Sequence, residues 1–243
     1  MSQAIPAPVF LSDTSEIRWH SLYRIAAVAA LIAVALFLFQ ILAFFIWPPP
    51  SSVAGHFGLL RSHPFIGLVS LDFLIIVDEV LAIPLTLALY FSLRRVNESL
   101  VLLATALSAG SIACFLIGTP ALNMLYLSQQ YAAATTGVEQ ERLLATGLAV
   151  LSSWQGTPFQ VGNVVGSIGM LLIGSVMLRS QIFSRSTGYV GILSAVVGLG
   201  MYVPKVGIFI SLVSVVGMQI WYVMIALALF RVCRGASSSA VRT

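Results

Sequence analysis

The sequence predicts an all-α, polytopic integral membrane protein: a six-transmembrane-helix bundle carrying one extracytoplasmic interfacial helix. Three observations predict it. Of the 243 residues, 59% are hydrophobic and only 8% are charged, against about 25% charged residues in ordinary soluble domains. Mean hydropathy is +1.01. The apolar residues gather into six runs, each suited to the ~30 Å hydrocarbon core of a bilayer. The organisation is one membrane domain, residues 23–231, between tails at 1–22 and 232–243.

Met1 to Leu22 is polar and proline-containing, as expected of a tail or a surface helix. Tyr23 to Trp47 is the first span. It is too long for the h-region of a signal peptide and ends in Trp-Pro-Pro-Pro without a small-residue cleavage site. Trp47 suits the interface, and Pro48 to Pro50 stop the helix. Ser51 to Phe65 reads as a loop holding His56, Arg61 and His63. The second span, Ile66 to Leu93, closes on Arg94 and Arg95, and the third runs from Ser99 to Leu127 with a kink at Gly118-Thr119-Pro120.

Ser128 to Gly156 is the longest connection. Within it, Val138 to Trp154 sets Leu144, Leu148 and Leu151 on one side behind the polar start Glu139 to Arg142, the pattern of a helix lying along the membrane surface. The fourth span, Pro158 to Leu178, carries Gly162 and Gly166 at GxxxG spacing, which serves close helix packing. The fifth, Thr187 to Val203, is glycine-rich. Pro204 and Lys205 turn the chain into the sixth, Gly207 to Phe230, and a serine-rich basic tail follows.

Six spans put both termini on one side. There lie Arg18, Arg24, Arg94, Arg95, Arg179, Arg185, Arg231, Arg234 and Arg242; opposite lie only Arg61, Arg142 and Lys205. The positive-inside rule makes the first side cytoplasmic. The formal net charge of +4 is therefore scattered over helix ends, which suits orientation in a membrane and excludes a nucleic-acid patch.

The second span carries Asp72, Asp78 and Glu79 in an otherwise apolar run. Each acid at a bilayer centre costs roughly 2.5–3.5 kcal/mol on insertion scales, so the helix needs protein neighbours, protonated carboxyls or a wet cavity. As one continuous helix, Asp72 and Glu79 share a face, Asp78 points about 100° away, and the two later acids sit near the midplane. Pro84 frees the carbonyl of Val80 one turn below them. No base is expected at their depth, which leaves protonation, neutral hydrogen bonds, a cation or water to satisfy them. Gln219, Ser108, Ser111 and Cys114 lie at similar depth. Nearer the outer face come Asp72, Gln40, Asn123, Gln160, Asn163 and Lys205, with Asp72 and Lys205 the expected ion pair. The candidate ligand or ion site is thus Asp72, Asp78, Glu79, Gln219, Lys205, Asn163 and Gln40.

Other signals are weaker. His56 and His63 are seven residues apart and lack a third ligand, so no metal site is assigned. Cys114 and Cys233 fall mid-helix and at a helix end, which disfavours a disulfide. Gly118-Thr119-Pro120 recurs as Gly156-Thr157-Pro158, and proline at a helix start or kink accounts for both. No GxSxG, HExxH, Walker or GxGxxG motif is present, so neither a soluble-enzyme chemistry nor a cofactor is indicated.

Met177-Leu178-Arg179-Ser180 through Phe183, then Gly188-Tyr189-Val190-Gly191-Ile192, resembles a recurring stretch in a bacterial six-helix membrane family, as do Ser128-Gln129-Gln130-Tyr131 and Ile220-Trp221. That family is the one labelled domain of unknown function 4386. The resemblance covers roughly Arg24 to Arg231 and implies a bacterial cytoplasmic-membrane protein with six spans; it brings no catalytic residue. Three functions remain open. Buried carboxylates favour a protein that holds a small polar ligand, proton or cation. An intramembrane lipid-modifying enzyme would use Asp72 or Glu79 as general acid or base. A structural or regulatory partner would present the long outer connection.

Overall fold

Apolar sequence around nearly the whole helical circumference leaves the backbone one way to satisfy its own polar groups, and the chain takes it. The computed structural model describes residues 19–203 and 206–240, which form ten α-helices, one 3-10 turn and no strand. They are α1 (His20–Ile46), α2 (Val53–Ser62), α3 (Pro64–Val69), α4 (Phe73–Leu93), α5 (Glu98–Gly118), α6 (Ala121–Ala133), α7 (Gly137–Trp154), α8 (Thr157–Met177), α9 (Arg185–Leu199) and α10 (Gly207–Ala240), with the 3-10 turn at Gly200–Tyr202. Polar side chains fix several starts. Asn97 accepts from the Leu100 amide at α5, Thr136 from Glu139 at α7 and Ser184 from Thr187 at α9.

Five helical stretches are long and apolar enough to cross a membrane: His20–Ile46, Phe73–Leu93, Glu98–Ala133, Gly137–Met177 and Leu212–Arg234. The chain is an all-α membrane protein. The expected fifth span is α9, whose 15 residues extend about 22 Å, with roughly 6 Å more in the 3-10 turn.

Six helices close a ring in chain order. α1 packs on α4, α4 on α5, α5 on α8, α8 on α9, α9 on α10, and α10 returns to α1. Neighbours run antiparallel. A Cβ on Gly118, Gly162, Gly166 or Gly169 would meet Pro158, Phe115, Ser111 or Ser108 across the α5–α8 seam, so one helix climbs as the other descends. Gly191, Gly198 and Gly217 do the same against Trp221, Ser214 and Ser194 between α9 and α10. Small residues bring these backbones together, as expected where lipid tails supply no hydrophobic drive. The GxxxG pair Gly162 and Gly166 belongs to that seam.

Burial has membrane logic. On α1 the buried face is Ala26, Ala27, Ala30, Ala33, Gln40 and Ala43, while Ile25, Leu31, Leu38 and Phe45 point outward. One core, from Tyr23 and Leu93 to Ile225 and Leu229, seals the ring near the ends of α4 and α10. At the other end α2, α3, α6 and α7 form a cap around Phe57, Leu60, Met124 and Leu127.

Several boundaries differ from the sequence expectation. The stretch Ile66 to Leu93 is broken: α3 stops at Val69, Asp72 turns left-handed at φ 61° and ψ 28°, and α4 starts at Phe73. Aspartate tolerates this conformation better than a bulky residue does. The midpoint of α4 is therefore near Ile83, and Asp78 and Glu79 lie about 7 Å towards the capped end. The kink at Gly118-Thr119-Pro120 is a full break between α5 and α6. The loop 51–65 is helical in α2, and α10 runs on to Ala240 through most of the expected tail. On α7, Leu144 and Leu151 join the cap core while Leu148 is exposed, because the buried face centres on Gly147 against Val53 and Phe57.

Candidate functional site

The ring lines a half-open cavity of about 370 Å³ to which all six of its helices contribute. On α4 the lining residues Ile75, Asp78, Glu79, Ala82, Leu85, Thr86 and Leu89 recur every three or four positions, one broad stripe of a helix. That breadth admits both acids, although adjacent residues diverge by about 100°. α5 adds Ser108, Ser111 and Phe115; α8 adds Phe159, Asn163 and Ser167; α10 adds Ser214, Gln219, Trp221 and Tyr222. Leu85, Leu89, Ile173 and Trp221 belong both to the lining and to the sealing core, so they form its floor.

The hydrogen-bond state of these groups sets them apart from ordinary helix–helix polar contacts. Ser111 Oγ donates to the Gly162 carbonyl at 2.8 Å and Ser214 Oγ to the Ser194 carbonyl at 2.7 Å, so both serve the seams. Asp78 Oδ1, Asn163 Nδ2, both amide atoms of Gln219 and Trp221 Nε1 are buried with no partner among the described residues. Gln219 is 7% exposed and Trp221 4%. Asn163 Nδ2 and Gln219 Nε2 are unused donors on a cavity that also holds an unused carboxylate oxygen, and each unmade buried bond costs about 1–3 kcal/mol. Glu79 makes no hydrogen bond to a described residue, and the Tyr222 phenol lies within electrostatic reach of both acids.

Of the sequence-predicted site, Asp78, Glu79, Asn163 and Gln219 meet on this one cavity. Asp72 and Gln40 do not. Asp72 Oδ2 accepts from Trp154 Nε1 at 3.2 Å, and that indole packs on Phe115 and Phe159 at 6.1 and 5.3 Å between ring centres. Asp72 thus holds an aromatic cluster whose two phenylalanines wall the cavity. Its break from α4 removes it from the face shared with Glu79. Gln40 Nε2 donates to the Val69 carbonyl at 3.0 Å, tying α1 to the end of α3. Asn123 is exposed on α6, and Gln160 bonds the Gln155 carbonyl. Lys205, and with it the expected pair with Asp72, lies outside the described residues. Val80 points outward, so the proline-freed carbonyl stands on a residue outside the lining.

The histidines separate. His56 is buried in the cap, where desolvation pushes its pKa below the ordinary value and a hydrogen bond with the Pro50 backbone partly offsets this. His63 is exposed beyond the end of α2. Neither Cys114 nor Cys233 forms a disulfide, and the Cys233 thiol donates to the His20 carbonyl at 3.7 Å.

Sequence reasoning missed Thr86, Trp221, Tyr222 and the phenylalanine walls. A signal was available: Ser214, Met218, Gln219, Trp221 and Tyr222 recur at helical spacing, so a polar residue at Gln219 puts the aromatics beside it.

A ring of six helices around a largely apolar cavity that holds a few polar groups defines this as an all-α membrane protein with a central chamber. The chain belongs to the family described as domain of unknown function (DUF4386), which it matches over residues 62–233. That segment holds every carboxylate and amide of the chamber. No curated protein and no solved structure matches the chain.

Proposed function

We propose that this protein is a multi-pass protein of the bacterial cytoplasmic membrane that holds a small polar ligand or cation in its central chamber, at Asp78 and Glu79. The observation that carries the reading is the set of buried, unpaired polar atoms of Asp78, Asn163 and Gln219 on one cavity. Ser111, by contrast, donates its hydroxyl to the Gly162 carbonyl across the seam. A volume of about 370 Å³ also falls within the ~300–1,000 Å³ usual for small-molecule sites. In this reading α9 with its 3-10 turn is the fifth of six spans, both termini are cytoplasmic, and the cap faces outward.

The test uses the full-length protein in lipid nanodiscs. Its unfolding midpoint is followed across pH and across added sodium, potassium and small organic solutes, for the natural chain and for Asp78→Asn with Glu79→Gln. Loss of the solute or pH response in the double variant supports the reading. An unchanged response across all conditions refutes it.

A further inference from the structure

The chamber's chemistry narrows what it takes. Its only charged side chains among the described residues are Asp78 and Glu79; no lysine, arginine or histidine lines it. The unpaired acceptors are Asp78 Oδ1 and Gln219 Oε1. Unpaired acceptors beside carboxylates call for a ligand with several N–H donors and a positive charge.

The walls add a second requirement. Phe37, Phe115, Phe159, Trp221 and Tyr222 surround the polar groups. Aromatic faces attract a cation electrostatically and also cover an apolar body. A bare metal ion would leave most of this space unfilled, and no group of three His, Cys, Asp or Glu side chains able to hold one occurs among the described residues. The donors Asn163 Nδ2 and Gln219 Nε2, likewise unpaired, ask for an acceptor on the same ligand, whereas Trp221 Nε1 faces Gly191 in the α9–α10 seam.

Resting on the chamber-binding reading above, we infer that the ligand is an organic ammonium ion. It is a primary amine on a compact, largely apolar body that carries a hydroxyl or carbonyl. Its N–H groups face Asp78, Glu79 and the Gln219 carbonyl oxygen; its body lies against the phenylalanine walls; its oxygen accepts from the Asn163 amide.

The experiment compares tyramine with tyrosol, its neutral counterpart of nearly equal size in which a hydroxyl replaces the ammonium. Full-length protein in nanodiscs is titrated with each, and binding is read from the unfolding midpoint and from tryptophan fluorescence, since Trp221 lines the site. Tyramine is expected to bind about 10- to 100-fold more tightly than tyrosol, the factor of one charge-assisted hydrogen bond. Glu79→Gln and, separately, Gln219→Met should each remove most of that preference. The two variants differ in charge, so a folding defect in one leaves the other decisive.

Equal binding of tyramine and tyrosol overturns the ammonium assignment while keeping the chamber as a binding site. Saturable stabilisation by sodium or potassium, with none from tyramine, overturns it in favour of an inorganic cation. No response to any of them overturns both the assignment and the chamber reading.

Discussion

Replacing Gln219 by methionine should stabilise the ligand-free protein, and the sign of that change separates a binding residue from a packing residue. Gln219 is 7% exposed and neither amide atom has a partner among the described residues. Each unsatisfied buried polar group costs about 1–3 kcal/mol in soluble proteins. Side-chain hydrogen bonds inside membrane proteins average only about 0.6 kcal/mol, so the lower part of the range applies. Methionine is flexible and close to glutamine in volume, so neither a void nor overpacking offsets the gain. The net expectation is about 1–2 kcal/mol of stabilisation, or roughly 2–8 °C at the 2–4 °C per kcal/mol usual for a chain of this size. Thermal unfolding in detergent, followed by a thiol-reactive dye that reports exposure of buried Cys233, supplies the measurement. A loss of stability of about 1 kcal/mol or more refutes the reasoning, because it would mean that Gln219 serves as a helix–helix hydrogen bond.

Three further outcomes follow from the same geometry. Gly166→Ala would place a methyl carbon 2.6 Å from Ser111 Oγ, displacing a hydroxyl that bonds the Gly162 carbonyl. It should cost about 2–4 kcal/mol, and a Ser111→Ala background should remove at least half of that cost in a double-mutant cycle. Asp72→Leu loses the Trp154 bond and forces a branched residue into the left-handed conformation, for about 2–4 kcal/mol. Asp72→Asn keeps both the acceptor and the turn, and should stay within about 1 kcal/mol of the natural chain in the same unfolding assay. His56 has its folded pKa lowered by burial, so below the unfolded value of about 6.5 the unfolded chain binds the extra proton more readily. Stability should therefore fall as pH drops from 7.5 to 5.5, and His56→Gln should flatten that part of the profile.

Much of the architecture was legible because membrane helices announce themselves by composition. The break at Ser70 to Asp72 was harder to read. Nothing apolar is lost there, since Leu71 and Phe73 continue the run, and only the left-handed backbone at Asp72 ends the segment. That one turn spoiled the inference that Asp72 and Glu79 share a face. The cavity set was half legible, because depth can be estimated by counting residues from a helix end, whereas which stripe faces inward depends on seams elsewhere. Those seams are set by Gly162, Gly166 and Gly169 on one side and by Gly191 and Gly198 on another. The α7 stripe shows the same limit: rotating its buried face onto Gly147 exposes Leu148, although three leucines had seemed to define it.

Two glutamines in this chain make the functional argument sharper than the acids alone. Gln40 and Gln219 are buried to nearly the same degree, 9% and 7% exposed, and both lie on helices of the ring. Gln40 places its amide nitrogen 3.0 Å from the Val69 carbonyl and so joins two elements. Gln219 joins nothing, although Asp78 and Asn163, which line the same chamber, also retain unpaired atoms. Gln40 keeps an unpaired Oε1 of its own but commits its donor to a seam, whereas Gln219 commits neither amide atom. In the chamber-binding reading, the missing partners of Gln219, Asp78 and Asn163 come from outside the chain. The same reading accounts for two carboxyls in an apolar helix, since both line the cavity.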